Sequence, residues 1–192
     1  MDILTGAGLA APAGLNAYIP LLTVALLDRF TNLVTLGSPY DLLSSDAGLI
    51  ALSILLVVEL FADAIPGLDT VNDLIQTAIR PATGAVLMLA AGNSDDGWID
   101  MHPILQGLLG AGLAGIVHTV KAVARPMVTV STAGMGNAGV SSVENVAALG
   151  LSLLAVLVPI LVLVGILIML IFAIQWLVRR KRHPESSPPR SQ

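Results

Sequence analysis

The sequence predicts an all-α fold, a polytopic transmembrane helical bundle with about five to six membrane segments. The chain of 192 residues is 55% hydrophobic, and only 11% of its residues are charged. Soluble domains usually carry about 25% charged residues. The apolar stretches are long and continuous, whereas the strands of a membrane barrel alternate apolar and polar residues. Helices are therefore the expected spanning element.

The first apolar segment, residues 3–27, is expected to be a broken helix because Pro12, Gly14, Asn16 and Pro20 interrupt it. Proline lacks an amide donor and clashes with the carbonyl four residues earlier, and glycine and asparagine tolerate unwound backbone. Broken membrane helices are tolerated where they line a cavity, and their freed groups can bind ions or substrates. A proline kink with small residues for close packing is the alternative interpretation.

Three further segments follow, at residues 47–65, 71–91 and 104–124. The first of these spans roughly 28 Å as a helix, about the thickness of one hydrocarbon core. Polar residues connect the segments, and the connection 92–103 is acidic. Residues 127–142 are rich in glycine, serine and threonine, which predicts a flexible or re-entrant loop.

The last apolar stretch, residues 143–178, is too long for one straight crossing. Either the helix projects beyond the membrane, or it breaks near Pro159 or Gly165; without a turn cluster, we favour one long or kinked helix. The basic tail 179–192 is expected to be disordered and cytoplasmic. Residues 1–178 then form a single transmembrane domain.

The five-residue word GAGLA occurs twice, at residues 6–10 and 110–114. Repeat units at 3–91 and 104–178 with three crossings each would make the second copy inverted, as in many transporters. The copies diverge directly after the word. We therefore expect the word itself to be a helix-packing surface.

Charged residues inside the apolar segments are the sharpest functional signal, because each costs about 2.5–3.5 kcal/mol near the bilayer centre. Glu59 lies well inside the second segment, and Asp63 follows one turn later on the same helical face. Two neighbouring carboxylates repel each other, so that one is protonated or both share a cation. Either state suits a proton or cation relay.

Two stripes with the spacing i, i+3 and i+7 accompany these carboxylates on the third and fourth segments: Asp73, Gln76 and Arg80, and His118, Lys121 and Arg125. We expect Glu59 and Asp63 to offset the charges of Lys121 and Arg125 if the helices pack together. Structural ion pairing is one alternative. Snorkelling to the membrane interface is another for residues near predicted helix ends, which include Asp69.

Three short motifs occur in an unusual order: GLNAYIP at residues 14–20, ELFADAIPGLD at residues 59–69, and the pair Arg80-Pro81. In these motifs the chain resembles a family of small bacterial integral membrane proteins known only as a domain of unknown function. The resemblance covers roughly residues 7–125 and implies a multi-pass protein of the bacterial cytoplasmic (inner) membrane, but no activity. The family's motif positions correspond to Gly14, Asn16, Tyr18, Pro20, Glu59, Asp63, Pro66, Asp69 and Arg80.

The leading functional hypothesis is a small transporter or channel for an ion or a small solute, including an anionic one. Its ion- or substrate-binding residues would be Gly14, Asn16, Tyr18, Glu59, Asp63, Asp69, Asp73, Arg80, His118, Lys121 and Arg125. A non-catalytic membrane assembly or accessory protein is the first alternative. An intramembrane lipid-modifying enzyme ranks lower, because no nucleophile or metal cage accompanies the carboxylates.

The absence of cysteine excludes disulfides, iron–sulfur clusters and thiolate metal sites. The three histidines lack metal-ligand spacing, so we expect no metal and no cofactor. The expected partners are the lipid bilayer and an unidentified ion or solute, with no nucleic acid. By analogy with other small channels and carriers, a subunit of this size is expected to form homo-oligomers.

Overall fold

The computed structural model describes residues 1–65, 68–92 and 101–158, together with the helical positions 164, 165, 167–169, 171, 172, 174 and 175. Its helices are α1 (Ile3–Ala13), α2 (Tyr18–Phe30), α3 (Asp46–Ala64), α4 (Leu68–Gly92), α5 (Pro103–Thr132) and α6 (Asn137–Leu157). A short 3-10 helix, Tyr40–Ser44, precedes α3. The described part of the chain contains no strand, which confirms the all-α class.

The first apolar segment consists of two helices, α1 and α2, so the predicted break is present. Pro12 lies inside α1, and the helix ends where the Gly14 amide donates to the Ala11 carbonyl. Helix α2 begins just after Asn16, whose Oδ1 accepts from the amides of Tyr18 and Ile19 at 3.0 Å each. An asparagine that accepts from the first helical amides is a favoured helix N-terminus.

Helix α1 is the centre of the bundle and contacts α4, α5 and α6. Helices α4 and α5 run antiparallel and cross closely at Gly84 and Gly110, where a Cβ on either residue would overlap the carbonyl of the other. A Cβ on Gly6 of α1 would meet Met88 and Ala91 of α4. Both GAGLA words therefore place a glycine against α4, as expected for small residues at membrane helix crossings.

The outer surface of the bundle is apolar, and charged side chains lie inside it. Exposed residues include Phe61 at 68%, Leu108 at 64% and Ile50 at 61%, whereas Glu59 and Arg80 are 1% and 0% exposed. This distribution reverses that of a soluble domain. It suits a protein whose outer face meets lipid and whose charged groups face the bundle interior.

Three helical stretches are long and apolar enough to cross a membrane: Val71–Gly92, Pro103–Thr132 and Asn137–Leu157. The structure thus supports three of the five or six predicted crossings. Helices α1 and α2, with 11 and 13 residues, are each shorter than the 17–25 residues that span a bilayer. Helix α3 has 19 residues but carries Asp46, Glu59 and Asp63.

The predicted loop at residues 127–142 is wrong over most of its length. Helix α5 continues through Pro126 to Thr132, and α6 begins at Asn137, so that only a tight turn separates them. The turn forms at Ala133 and Gly134, which adopt positive φ angles of 50° and 84°. A left-handed residue after the last helical turn is a common helix terminator.

Of the two alternatives for the last apolar stretch, the break near Pro159 is observed rather than the favoured uninterrupted helix. Helix α6 ends at Leu157, and Val158 leaves the helical conformation with φ −145° and ψ 71°. A residue that precedes proline disfavours the helical region, so Pro159 accounts for the position of the end. Pro66, most of the acidic connection and the basic tail lie outside the described residues. The repeat units at 3–91 and 104–178 stay a prediction.

Candidate functional site

Helices α3, α4, α5 and α6 bring seven charged side chains together inside the bundle. The carboxylates are Glu59, Asp63, Asp73 and Glu144, and the cations are Arg80, Lys121 and Arg125. None of these side chains is more than 15% exposed. Charges buried in this way are stable only when they are paired and hydrogen-bonded, so the pairing decides what the cluster can do.

Four of the side chains form a closed arrangement, here called the Asp63 square: Asp63, Glu144, Lys121 and Arg125. Each cation contacts both carboxylates. Lys121 Nζ lies 3.1 Å from Asp63 Oδ2 and 3.1 Å from Glu144 Oε2, and Arg125 Nη2 lies 2.9 Å and 3.2 Å from the same atoms. Two positive and two negative charges make the square neutral.

Polar neighbours form further hydrogen bonds with the side chains of the square. Asn72 donates to Asp63 Oδ1 at 2.8 Å, and Arg125 Nη2 donates to Ser141 Oγ at 2.8 Å. The Ser141 hydroxyl donates in turn to the backbone carbonyl of Asp63 at 3.1 Å. The square is therefore well satisfied and ties α3, α5 and α6 together.

The other three charges form the Arg80 triad: Arg80, Glu59 and Asp73. Arg80 Nη2 lies 3.0 Å from Glu59 Oε1, and Arg80 Nη1 lies 3.6 Å from Asp73 Oδ1. Asp73 Oδ2 also lies 3.5 Å from Arg125 Nη1, which links the triad to the square. One positive charge faces two carboxylates, so the triad carries a net charge of −1 when both of them are ionised.

Within the described residues, buried polar atoms without a hydrogen-bond partner lie in and beside the triad: Glu59 Oε2, Asp73 Oδ1, Arg80 Nε and Gln76 Oε1. Gln76 is 2% exposed and lies one turn from Arg80 on α4. Such unsatisfied atoms are rare in native proteins, and where they occur they point to function or to a bound species. The Asp63 square has no atom of this kind.

His118 of α5 contacts the triad in a defined protonation state. Its Nδ1 lies 2.8 Å from Arg80 Nη1, and its Nε2 lies 3.1 Å from Thr77 Oγ1. A guanidinium is only a donor, so Nδ1 accepts and the ring proton resides on Nε2. His118 is consequently neutral in this arrangement, and the positive charge missing from the triad does not come from it.

The break between α1 and α2 touches the cluster through a backbone carbonyl. Because the Ile19 amide donates to Asn16 Oδ1, the carbonyl of Leu15 lacks the partner that a continuous helix would give it. Lys121 Nζ donates to this carbonyl at 2.9 Å. The helix break was predicted to free a backbone group. The freed group is the Leu15 carbonyl, which accepts a hydrogen bond from the buried ammonium of Lys121.

Gly14 and Tyr18 flank the break on either side. A Cβ on Gly14 would overlap the Ala114 carbonyl and lie 2.6 Å from Val117 Cβ, so only glycine allows the break to approach α5 this closely. Tyr18 is 8% exposed, and its hydroxyl interacts with the Gln76 side chain. Asn16 Nδ2 donates to Asn145 Oδ1 of α6 at 3.0 Å.

A cavity of about 550 Å³ opens beside the cluster between α4 and α5. Its walls are largely apolar, and its polar lining residues are Asp73, Thr77, Arg125 and Thr129. Asp73 and Arg125 are 15% and 7% exposed, whereas Glu59 and Arg80 lie behind them and are almost fully covered. The cavity therefore reaches the triad at Asp73.

Ten of the eleven predicted site residues converge on this region. The exception is Asp69, whose backbone begins α4 but whose side chain lies outside the described residues. The expected pairing is only partly right: Asp63 meets both Lys121 and Arg125, but Glu59 pairs with Arg80. Arg80 lies on the same helical stripe as Asp73, and packing turns that stripe toward α3.

Sequence reasoning missed Glu144, together with Ser141, Asn145 and Asn72. Glu144 is a lone carboxylate at the start of the predicted apolar stretch 143–178, a weaker form of the signal that identified Glu59 well inside its segment. That position made it look like a residue of the connecting loop. Among the described residues, no group of three or more histidine, aspartate or glutamate side chains is arranged to hold a metal ion.

An apolar exterior, three helices that could span a membrane and a buried charged cluster suggest a helical membrane protein. Residues 3–180 match the family catalogued as a domain of unknown function, DUF4126, and the chain belongs to that family. No curated protein and no solved structure matches the chain.

Proposed function

We propose that the protein is a small transporter or channel of the bacterial cytoplasmic membrane, with its C-terminus in the cytoplasm, and that the buried cluster handles a proton or a monovalent cation. The observation that carries the proposal is the charge balance. Four carboxylates face three permanent cations, and His118 is held neutral by Arg80. An uncompensated buried charge costs several kcal/mol, which favours the uptake of one positive charge.

The same balance argues against an anionic solute. Arg80, Lys121 and Arg125 each pair with at least one carboxylate, so none of them offers a free positive charge to an anion. An entering anion would have to displace a buried carboxylate and would raise the negative charge of the cluster. A positively charged species would instead restore neutrality.

The helix break and the cavity favour a protein that conducts an ion across the membrane over one that only holds a charge in its interior. The break places the Leu15 carbonyl on Lys121, and the cavity reaches Asp73 from the surface between α4 and α5. Interrupted helices beside buried charge are a recurring feature of ion pathways in transporters. The described bundle is small, and a homo-oligomer of it would bring several such bundles together along one pathway.

The test is ion flux in proteoliposomes. We expect the purified protein to acidify vesicles that contain a pH-sensitive dye when a membrane potential is imposed, and we expect Glu59→Gln to remove the flux. Asp46→Asn is the matched control, since this α3 carboxylate is 82% exposed and pairs with Arg29 outside the cluster. Flux through Glu59→Gln equal to that of the unmodified protein would refute the proposed relay.

A non-catalytic assembly role is the second candidate, and the Asp63 square favours it. The square is neutral, is hydrogen-bonded throughout and joins three helices, as a structural lock does. A folded, stable protein that shows no flux of protons or monovalent cations in the same vesicles would support this role.

A further inference from the structure

The extra negative charge of the cluster belongs to the Arg80 triad. The Asp63 square is neutral by itself, with every carboxylate in contact with two cations. In the triad, Arg80 faces two carboxylates, and Asp73 reaches its cations only at 3.5 Å and 3.6 Å. Coulomb energy falls with distance, so Asp73 and Glu59 are less well compensated than Asp63.

The unpartnered buried atoms belong to the three triad residues and to Gln76, one helical turn from Arg80. Glu59 Oε1 accepts from Arg80 Nη2, but Glu59 Oε2 has no hydrogen-bond partner although the side chain is 1% exposed. Asp73 Oδ1 and Gln76 Oε1 are further buried acceptors without partners. An ionised carboxylate cannot donate to such an acceptor, whereas a protonated carboxyl supplies one O–H donor.

We propose that the Arg80 triad binds one proton, which rests on Glu59 at Oε2 and exchanges with solvent through Asp73 from the cavity between α4 and α5. The inference deepens the proposed function and rests on it, because the bound proton would be the ion that the protein carries. In the proposed exchange a hydronium ion that enters the cavity gives up its proton and becomes water, and the Glu59 carboxylate becomes a neutral carboxylic acid.

Glu59 is the member of the triad that holds the proton at rest, because its side chain is 1% exposed against 15% for Asp73 and burial disfavours the charged form of a carboxyl group. The titratable and charged groups around Glu59 are Tyr18 of α2, Asp63 of its own helix, Arg80 of α4 and Lys121 of α5, with Asp73 and His118 in contact with Arg80. Its hydrogen-bonded cation is Arg80, whereas Asp73 lies near both Arg80 and Arg125 and touches the cavity. Asp73 is the member placed to exchange the proton.

A metal cation suits the triad less well than a proton. Arg80 lies between the two carboxylates and repels any second cation placed there, and the repulsion is strong where solvent is excluded. A proton forms a covalent O–H bond on one oxygen and needs no shell of ligands. The geometry therefore favours the proton among the positively charged species.

The test is infrared difference spectroscopy of the purified protein in nanodiscs during a pH titration. We expect a band of a protonated buried carboxyl group that shifts when glutamate carries a ¹³C-labelled side chain. The band should be lost in Glu59→Gln and retained in Asp46→Asn. A shift with ¹³C-aspartate, or a band that persists in Glu59→Gln, would overturn the assignment to Glu59.

A second variant keeps the inference testable if Glu59→Gln does not fold. In Asp73→Asn the triad is neutral with Glu59 ionised, so the glutamate band should disappear although Glu59 is unchanged. A band of full size in Asp73→Asn would contradict the charge balance. Loss of the band on addition of sodium at constant pH would identify a metal cation as the occupant and overturn the proposal.

The route is tested by filling the cavity. Ala122 lines it from α5, and Ala122→Trp should slow the appearance of the glutamate band after a pH jump about tenfold, a barrier increase of about 1.4 kcal/mol. The final size of the band should not change. An unaltered rate would refute access through this cavity. Because these measurements do not involve flux, a missing band with intact flux would separate failure of this inference from failure of the proposed function.

Discussion

Asn16 is fully buried and uses both ends of its side-chain amide. Its Oδ1 accepts from two amides at the start of α2, and its Nδ2 donates to Asn145 of α6. By taking the Ile19 amide it frees the Leu15 carbonyl for Lys121. One side chain therefore begins α2, hydrogen-bonds to α6 and frees a carbonyl that accepts from a buried cation.

Gly14 gives a prediction at the same scale. Gly14→Ala should lower the free energy of unfolding by about 1–3 kcal/mol, because the added Cβ overlaps the α5 backbone and forces a shift. Thermal unfolding in detergent, followed by circular dichroism, measures the change. Gly112→Ala is the control, since a Cβ there meets no atom within 4 Å and alanine favours a helix by up to about 1 kcal/mol. Equal stability of the two variants would contradict the close approach of the break to α5.

At the scale of helices, the charged cluster joins elements that are distant in sequence. Helix α5 supplies the cations of the Asp63 square, and α3 and α6 supply its carboxylates. Pro126 does not end α5, and the helix continues for another six residues. Thr129 and Thr132 donate to the carbonyls of Arg125 and Val128 in this last part of the helix, which supports the backbone beyond the proline.

The square predicts a coupling between α3 and α5. Lys121→Met alone should destabilise the protein by about 3–5 kcal/mol, since it leaves two buried carboxylates, Asp63 and Glu144, with Arg125 as their one remaining cation in the square. Adding Asp63→Leu restores the balance between Arg125 and Glu144, so the double variant should be more stable than Lys121→Met alone. Chemical denaturation of the four proteins of this double-mutant cycle gives the coupling energy. Additive effects would show that the two side chains do not interact.

At the scale of the whole molecule, the structure is an apolar shell around a short buried helix and a charged interior. Helices α4, α5 and α6 contain the stretches long and apolar enough to span a membrane, and α1 lies among them with nearly all of its residues buried. The two ends of the broken segment thus face the protein rather than lipid. Irregular backbone at membrane depth is tolerated in this position.

This arrangement predicts opposite sides for the two ends of α5. Ile104 and Met135 are 65% and 85% exposed, and the helix between them is about 45 Å long at 1.5 Å per residue. In intact cells or sealed vesicles, Ile104→Cys and Met135→Cys should react with a membrane-impermeant maleimide from opposite faces. The unmodified chain contains no cysteine, so each variant carries a single thiol and no natural cysteine has to be replaced first. Labelling of both positions from one side would exclude α5 as a span.

The sequence by itself determined the class of protein, most of the helices, the break in the first segment and the residues that carry buried charge. These features depend on local properties: apolar length, the missing proline donor, and charges that recur at helical spacing. The sequence also indicated ten of the residues that converge. It failed at residues 127–142, where α5 continues through Pro126 to Thr132 and α6 begins at Asn137, because packing decides whether a helix survives a proline or glycine. For residues 143–178 the sequence offered a break near Pro159 but did not favour it.

Only the tertiary structure decided which charges pair. Helical spacing places Lys121 and Arg125 on one face of α5, and Arg80 on one face of α4 together with Asp73. Which of these faces meet depends on the register between helices, and close backbone crossings such as Gly84 with Gly110 set that register. That register puts Arg80 on Glu59 and brings in Glu144, which separates a neutral square from a triad with one excess negative charge. Charge balance is a property of three-dimensional neighbours, and for that reason it could not be read from one stretch of sequence.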